Sequence, residues 1–135
     1  MTEIRLAAVI ESIPGATAFI EEQLEALGCS MRAQMQIDVA IDELFGNIAQ
    51  YAYGGAEGEA TVLFDFDAAE RMASVTFVDG GAPFNPLAQD DPDVTLSAEE
   101  RVAGGLGIYL VKKTMDGVEY RRENDENRLT IHKRI

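Results

Sequence analysis

Glu43 and Asn47 lie one helical turn apart in the stretch Asp38-Val39-Ala40-Ile41-Asp42-Glu43-Leu44-Phe45-Gly46-Asn47-Ile48-Ala49-Gln50-Tyr51-Ala52-Tyr53. Residues four apart on a helix share a face. A carboxylate and an amide stacked this way suit a general base beside a metal ligand. Mg²⁺ takes oxygen ligands, few of them from protein, so one Asn amide oxygen suffices when phosphates and water complete the shell. The carboxylate can then take a proton from an attacking hydroxyl or water, as general bases do in phosphoryl transfer. The plainer role for the same pair is a solvated helix edge.

Two further groups could do chemistry. Asp79 ends an apolar run directly before Gly80 and Gly81. A carboxylate there can shape a turn. It can also accept a hydrogen bond from an exocyclic amine such as adenine N6, with the glycines leaving room for the ring. Gly104-Gly105-Leu106-Gly107 precedes an apolar helical segment. Glycines let a backbone approach a ligand, and a helix start offers unpaired N–H groups that suit phosphate. It is not a Walker A loop, because no Gly-Lys-Ser/Thr follows, and the dinucleotide glycine pattern is absent.

The elements that must position these residues follow from periodicity. Apolar residues at Ile37, Ile41, Leu44, Phe45, Ile48 and Ala52 form the buried stripe of a helix running from about Met31 to Tyr51, capped by Ser30. An earlier helix is predicted over Pro14 to Leu27, with Ser12 as a candidate cap and Gly28 closing it. Strands are predicted at Ile4 to Ile10, Glu59 to Asp67, Met72 to Asp79, Val118 to Glu123 and Arg128 to Ile135, the last pair joined by Asn124 to Asn127. A third helix is expected over Ile108 to Met115. Leu87 to Ala103 is a long, acidic connection, a length usual for functional or mobile loops. The order β-α-α-β-β-loop-α-β-β gives an expected α+β fold: a two-layer sandwich with a mostly antiparallel mixed sheet and helices on one face. Phe45, Ile48, Phe77 and Phe84 are expected as core or wall residues, and His132 as a solvated strand residue without chemistry.

The chain has 135 residues, a length that fits a single domain over 1–135. Its net charge of −13 repels nucleic acid phosphate and anionic membranes, so neither is expected as a partner. Cys29 is the only cysteine and His132 the only histidine, which excludes an intramolecular disulfide, a cysteine-rich zinc site and a His-His metal site. No apolar run is long enough to span a membrane, and Met1 to Arg5 lacks the basic start of a leader peptide. A cytoplasmic location is expected.

No one of these signals is specific, but their order and spacing together are. Glu-x-x-x-Asn on a long helix, Asp79-Gly80-Gly81-Ala82-Pro83-Phe84 after a strand, a long loop, and Gly104-Gly105-Leu106-Gly107-Ile108 at a helix start resemble the N box and two glycine boxes of the GHKL (Bergerat-fold) ATPase superfamily. Within it the chain looks most like the stand-alone anti-sigma factor serine/threonine kinases of bacteria, through Val78 to Pro86 and Gly104 to Tyr120. The resemblance implies a histidine-kinase-like ATPase fold with a mobile ATP lid over Leu87 to Ala103. It implies ATP and Mg²⁺ as cofactors. Asn47 is the implied metal ligand, Glu43 the implied base, Asp79 the adenine reader and Gly81 the residue admitting the base. Arg101, Gly104, Gly105, Leu106 and Gly107 are implied at the phosphates. Tyr51 stands where relatives frequently carry a histidine. The implied activity is phosphorylation of a STAS-type antagonist protein by a kinase that otherwise holds a sigma factor or another partner-switching protein, commonly as a homodimer. Two rivals stay open: an ATP-switched interaction module without phosphotransfer, and the catalytic half of a histidine kinase. The latter calls for an upstream helix with a phosphorylatable histidine, which this sequence lacks.

Overall fold

The computed structural model describes residues 1–88 and 106–135. Five strands, β1 (Thr2–Ala7), β2 (Glu59–Asp67), β3 (Met72–Asp79), β4 (Gly117–Glu123) and β5 (Glu126–Arg134), form one sheet in the order β1-β2-β3-β5-β4. Three helices, α1 (Ile13–Ala26), α2 (Met31–Asn47) and α3 (Leu106–Thr114), pack on the sheet, with α2 touching both of the others. This is the expected α+β sandwich. The mixed sheet is a correction: all four strand pairings are antiparallel. β3 and β4 do run in the same direction around α3, but β5 inserts between them and pairs antiparallel with both.

The core lies between the layers. α1 contributes Ile20 and Leu24, α2 contributes Ile37, Ile41, Leu44 and Phe45, and α3 contributes Ile108 and Val111. Alternate strand residues meet them: Val62 and Phe64 from β2, Val75 and Phe77 from β3, Leu129 and Ile131 from β5. Burying such a helical stripe against a sheet face is the main force fixing α2, because each large apolar side chain contributes about 1.5–3 kcal/mol when removed from water.

The helix ends behave largely as their residues dictate. Ser30 Oγ accepts the Ala33 amide at 3.2 Å, capping α2. Gly28, with φ +71°, closes α1 in the left-handed region. Ser12 makes no side-chain cap, since a short 3-10 turn (Ile10–Ser12) feeds directly into α1. β1 is displaced from its expected span. It runs antiparallel to β2, and Ala7 is opposite Glu59, where β2 begins, so pairing stops there.

Two other departures matter for the site. The α-helical part of α2 ends at Asn47, and Ile48–Ala52 form a wider π-helical turn. The β4–β5 connection is a two-residue turn, Asn124–Asp125, with φ of 54° and 61°. That is the signature of a tight hairpin, so Asn127, expected in the turn, belongs to β5.

His132 is also corrected. It is not a plain solvated side chain: on the sheet face away from the helices, Nδ1 lies 2.7 Å from Ser74 Oγ and Nε2 lies 2.7 Å from Glu119 Oε1.

Candidate functional site

The site forms where α2, the end of β3, the start of α3 and the β4–β5 hairpin converge. Strand pairing places Asp79 directly opposite Asn127. Asp79 is 5% exposed and Asn127 4%, the two buried polar side chains among the described residues. Buried polar groups must be hydrogen-bonded to be tolerated, and here each is. Asp79 Oδ1 accepts the Gly81 amide at 2.9 Å and Asn127 Nδ2 at 3.0 Å. Asn127 Nδ2 also donates to the Ala82 carbonyl at 2.8 Å. Asn127 Oδ1 accepts the Phe84 amide at 3.2 Å and the Tyr120 hydroxyl at 2.5 Å. Both protein donors to Asp79 thus fall on Oδ1, and Oδ2 has no hydrogen-bond partner among the described residues. A cavity of about 30 Å³ adjoins this carboxylate, walled by Leu44, Ile48, Phe77, Phe84 and Leu129. An apolar slot ending on a carboxylate oxygen without a partner among the described residues suits a flat ring bearing an amine.

The loop after Asp79 is held tightly. A Cβ on Gly81 would come within 2.0 Å of the Ala52 carbonyl oxygen and 2.5 Å of its carbon, so only glycine fits. The π-helical turn causes this approach: it carries the Ala52 carbonyl to the loop, where it accepts the Ala82 amide at 3.0 Å. Arg122 Nη1 donates to the Gly81 carbonyl at 2.8 Å. Tyr53 OH accepts the Gly80 amide at 2.9 Å while donating to the Glu59 carbonyl at 2.5 Å.

Glu43 reaches α3. A Cβ on Gly107 would lie 2.1 Å from Glu43 Oε2 and 2.2 Å from Cδ, so the carboxylate sits against the first turn of that helix. A helix start carries unpaired N–H groups and a partial positive charge, which favour an anion there. Asn47, half-buried, is the last residue of α2 and sits one turn beyond Glu43. Leu106, the first residue of α3, is 40% exposed. Arg101, Gly104 and Gly105 lie outside the described residues, as does the expected lid from Gln89 onward.

The structure therefore brings Glu43 to Gly107, and Asp79 to Gly81, on two sides of the C-terminal half of α2. It adds Asn127, Tyr120, Arg122 and Tyr53, which sequence reasoning missed. The spacing of Asn124-Asp125 as a two-residue hairpin signal was the one available pointer to Asn127. Among the described residues no group of three or more His, Cys, Asp or Glu side chains could hold a metal. A Mg²⁺ at Asn47 would take one amide oxygen from this side chain and its other ligands from phosphate and water, as that ion commonly does.

Comparison with known proteins gives the same direction. The histidine kinase-like ATPase domain family matches residues 6–133. The chain is 26% identical over 102 residues to the serine/threonine-protein kinase BtrW of Bordetella bronchiseptica, covering 76% of this chain and 71% of that one. It is 34% identical over 88 residues to the serine-protein kinase RsbW of Bacillus pumilus, covering 62% and 54%. It is 31% identical over 85 residues to RsbW of Bacillus mycoides, covering 60% and 52%. The aligned part spans about half the length of these RsbW proteins. With nearly its whole length matched and its sheet and helices arranged as that fold requires, the chain belongs to the histidine kinase-like ATPase domain family.

Proposed function

We propose that residues 1–135 act as one ATP-dependent protein serine/threonine kinase domain of the partner-switching, anti-sigma type. The observation that carries phosphotransfer is the Glu43 carboxylate lying against Gly107 at the start of α3. It puts a base beside a backbone suited to phosphate. The observation that carries ATP is the slot ending on Asp79. Asp79 Oδ2 accepts the adenine amine, while Gly81 and Asn127 hold Oδ1 and fix the carboxylate's orientation. The half-buried Phe84 ring forms one wall of this slot. Asn47 offers its amide oxygen to Mg²⁺, which when bound neutralises charge on the phosphate oxygens. Leu106 and Gly107 open α3 at the phosphate end, and Arg101, Gly104 and Gly105 are assigned phosphate contacts by the family resemblance alone.

Glu43 would take the proton of the acceptor serine or threonine hydroxyl as that oxygen attacks the γ-phosphorus, with the bond from that phosphorus to the β–γ bridging oxygen breaking and ADP leaving. The names of BtrW and RsbW as serine(/threonine) protein kinases support this reading. The acceptor is a STAS-type antagonist protein, and the alternative partner a sigma factor or other partner-switching protein. The acidic chain, without a helix long and apolar enough to cross a membrane among its described residues, fits work in the cytoplasm, as a monomer or a homodimer.

The Glu43→Gln variant tests the reading with labelled ATP and a candidate antagonist domain. ATP binding is retained and transfer to the antagonist is lost. Full transfer by that variant removes Glu43 as base. Binding without transfer by the unaltered chain, across all candidate antagonists, leaves an ATP-switched interaction module instead.

A further inference from the structure

Helix α2 is apolar on two sides. One side buries Ile37, Ile41, Leu44 and Phe45 in the core. Away from it, Met31, Met35 and Val39 stand 79%, 61% and 51% exposed. They are spaced i, i+4, i+8 on this helix, so they make one continuous ridge. Scattered exposed apolar residues need no explanation, but three in register along the middle helix of a layer do. None of the three belongs to the slot or to the Glu43–Gly107 contact.

The border of the ridge is predominantly acidic. Between Ile13 and Asn47 the two helices carry Glu21, Glu22, Glu25, Asp38, Asp42 and Glu43 against the single cation Arg32. Glu22, Glu25 and Asp42 are exposed and have no salt-bridge partner among the described residues. Most of the chain's cations lie elsewhere, with Lys112, Lys113, Arg121, Arg122, Arg128, Lys133 and Arg134 all beyond residue 105. An acidic border selects the occupant. A second copy presenting the same helices would bring like charges together. An anionic membrane would be repelled. A basic helix with an apolar stripe complements both features: its stripe covers the ridge and its cations meet the carboxylates. Methionine suits such a surface because its flexible thioether adapts to a partner's shape.

We propose that the Met31–Met35–Val39 ridge of α2, with its carboxylate border, docks a basic amphipathic helix of a protein partner. The surface is separate from the nucleotide slot, so it stands or falls independently of the kinase reading.

The test uses the full chain labelled at its methionine methyls and an amphipathic leucine–lysine helical peptide as probe, at physiological ionic strength. The Met31 and Met35 methyls shift on titration, while those of buried Met115 and half-buried Met72 do not. Met35→Ser combined with Val39→Ser weakens peptide binding at least about tenfold, or ~1.4 kcal/mol. Both positions are exposed, so the fold is kept, as a melting curve verifies. Val9→Ser, an exposed apolar site on the turn before α1, leaves binding unchanged. A leucine–glutamate peptide of the same pattern does not bind. Equal binding by the acidic peptide overturns the proposal, as does wild-type affinity in the double variant. Met31 and Met35 shifts that follow protein concentration without peptide also overturn it, in favour of a second copy.

Discussion

Replacing Asn127 by Ala should be among the most damaging single changes to this fold, although the residue follows an exposed turn. Four hydrogen bonds are lost: those to Asp79, Ala82, Phe84 and Tyr120. Their costs differ with access to water. Tyr120 is half-buried and Ala82 exposed, so their freed groups find water and each loss costs roughly 0.5–1 kcal/mol. The Phe84 amide is half-buried and falls in the same range. Asp79 is buried, and losing a donor to a buried charged group costs roughly 1–3 kcal/mol. The sum is about 2.5–6 kcal/mol, a large share of the 5–15 kcal/mol that typically holds a domain together. Urea unfolding followed by circular dichroism measures it directly. ATP affinity should fall about tenfold in the same variant, because Asp79 then keeps only the Gly81 amide to orient it. Asn127→Asp should be worse than Ala, because it sets a second carboxylate beside Asp79. A loss below about 1 kcal/mol in Asn127→Ala, with unchanged ATP affinity, refutes the claim that this network builds the site.

Gly81→Ala forces a methyl group onto the Ala52 carbonyl, a backbone contact that cannot rotate away, and should cost at least about 1–3 kcal/mol by urea melting. A wild-type midpoint would show that the π-helical turn yields freely. Asn47→Ala should abolish the Mg²⁺ dependence of nucleotide affinity in calorimetry, and an intact dependence removes Asn47 as the metal ligand. Asp38, on α2, has its carboxyl pushed up to about 7 by burial, reinforced by the hydrogen bond to Glu21 and the charges of Glu21 and Asp42. One of its oxygens is buried without a partner. Its pKa is higher folded than unfolded, so the native state holds the extra proton and stability declines as pH rises from about 4 through about 7. Asp38→Asn should flatten that decline and gain roughly 1 kcal/mol near pH 8, after discounting for solvent screening of a half-buried group. Parallel pH–stability curves for variant and wild type would contradict this.

The parts of the site readable from sequence are those governed by local periodicity. The stripe at Ile37, Ile41, Leu44 and Phe45 announces α2 because a helix repeats every 3.6 residues, and Glu43 and Asn47 then fall on its flank. Asp79 and Gly81 are readable because a carboxylate and glycines end an alternating strand. The parts that escape depend on pairing between distant segments. Asn127 becomes part of the site only when β5 lies against β3, 48 residues away in sequence. Arg122 and Tyr120 enter with the same hairpin. The π-helical turn at Ile48–Ala52 escapes for another reason: its apolar spacing continues that of α2, and only the approach of Gly81 and Ala82 to the Ala52 carbonyl separates it. His132 reads as a solvent-facing strand residue, yet its partners Ser74 and Glu119 come from two other strands.

The tight turn at Asn124–Asp125 has a consequence for how this chain can change over time. Side chains alternate between the two sheet faces, so adding or deleting one residue in the turn would slip the register of β5 against β4 or β3. Asn127 would then point away from Asp79, and Arg128 would face the nucleotide slot in its place. Surface turns ordinarily drift in length because nothing is packed on them. This one faces solvent and yet is held to two residues by a carboxylate on a neighbouring strand, Asp79 at the end of β3. Insertions tolerated in other exposed loops should therefore be selected against here, and a homologue with a longer turn should carry a compensating bulge in β5 or a different residue opposite its aspartate.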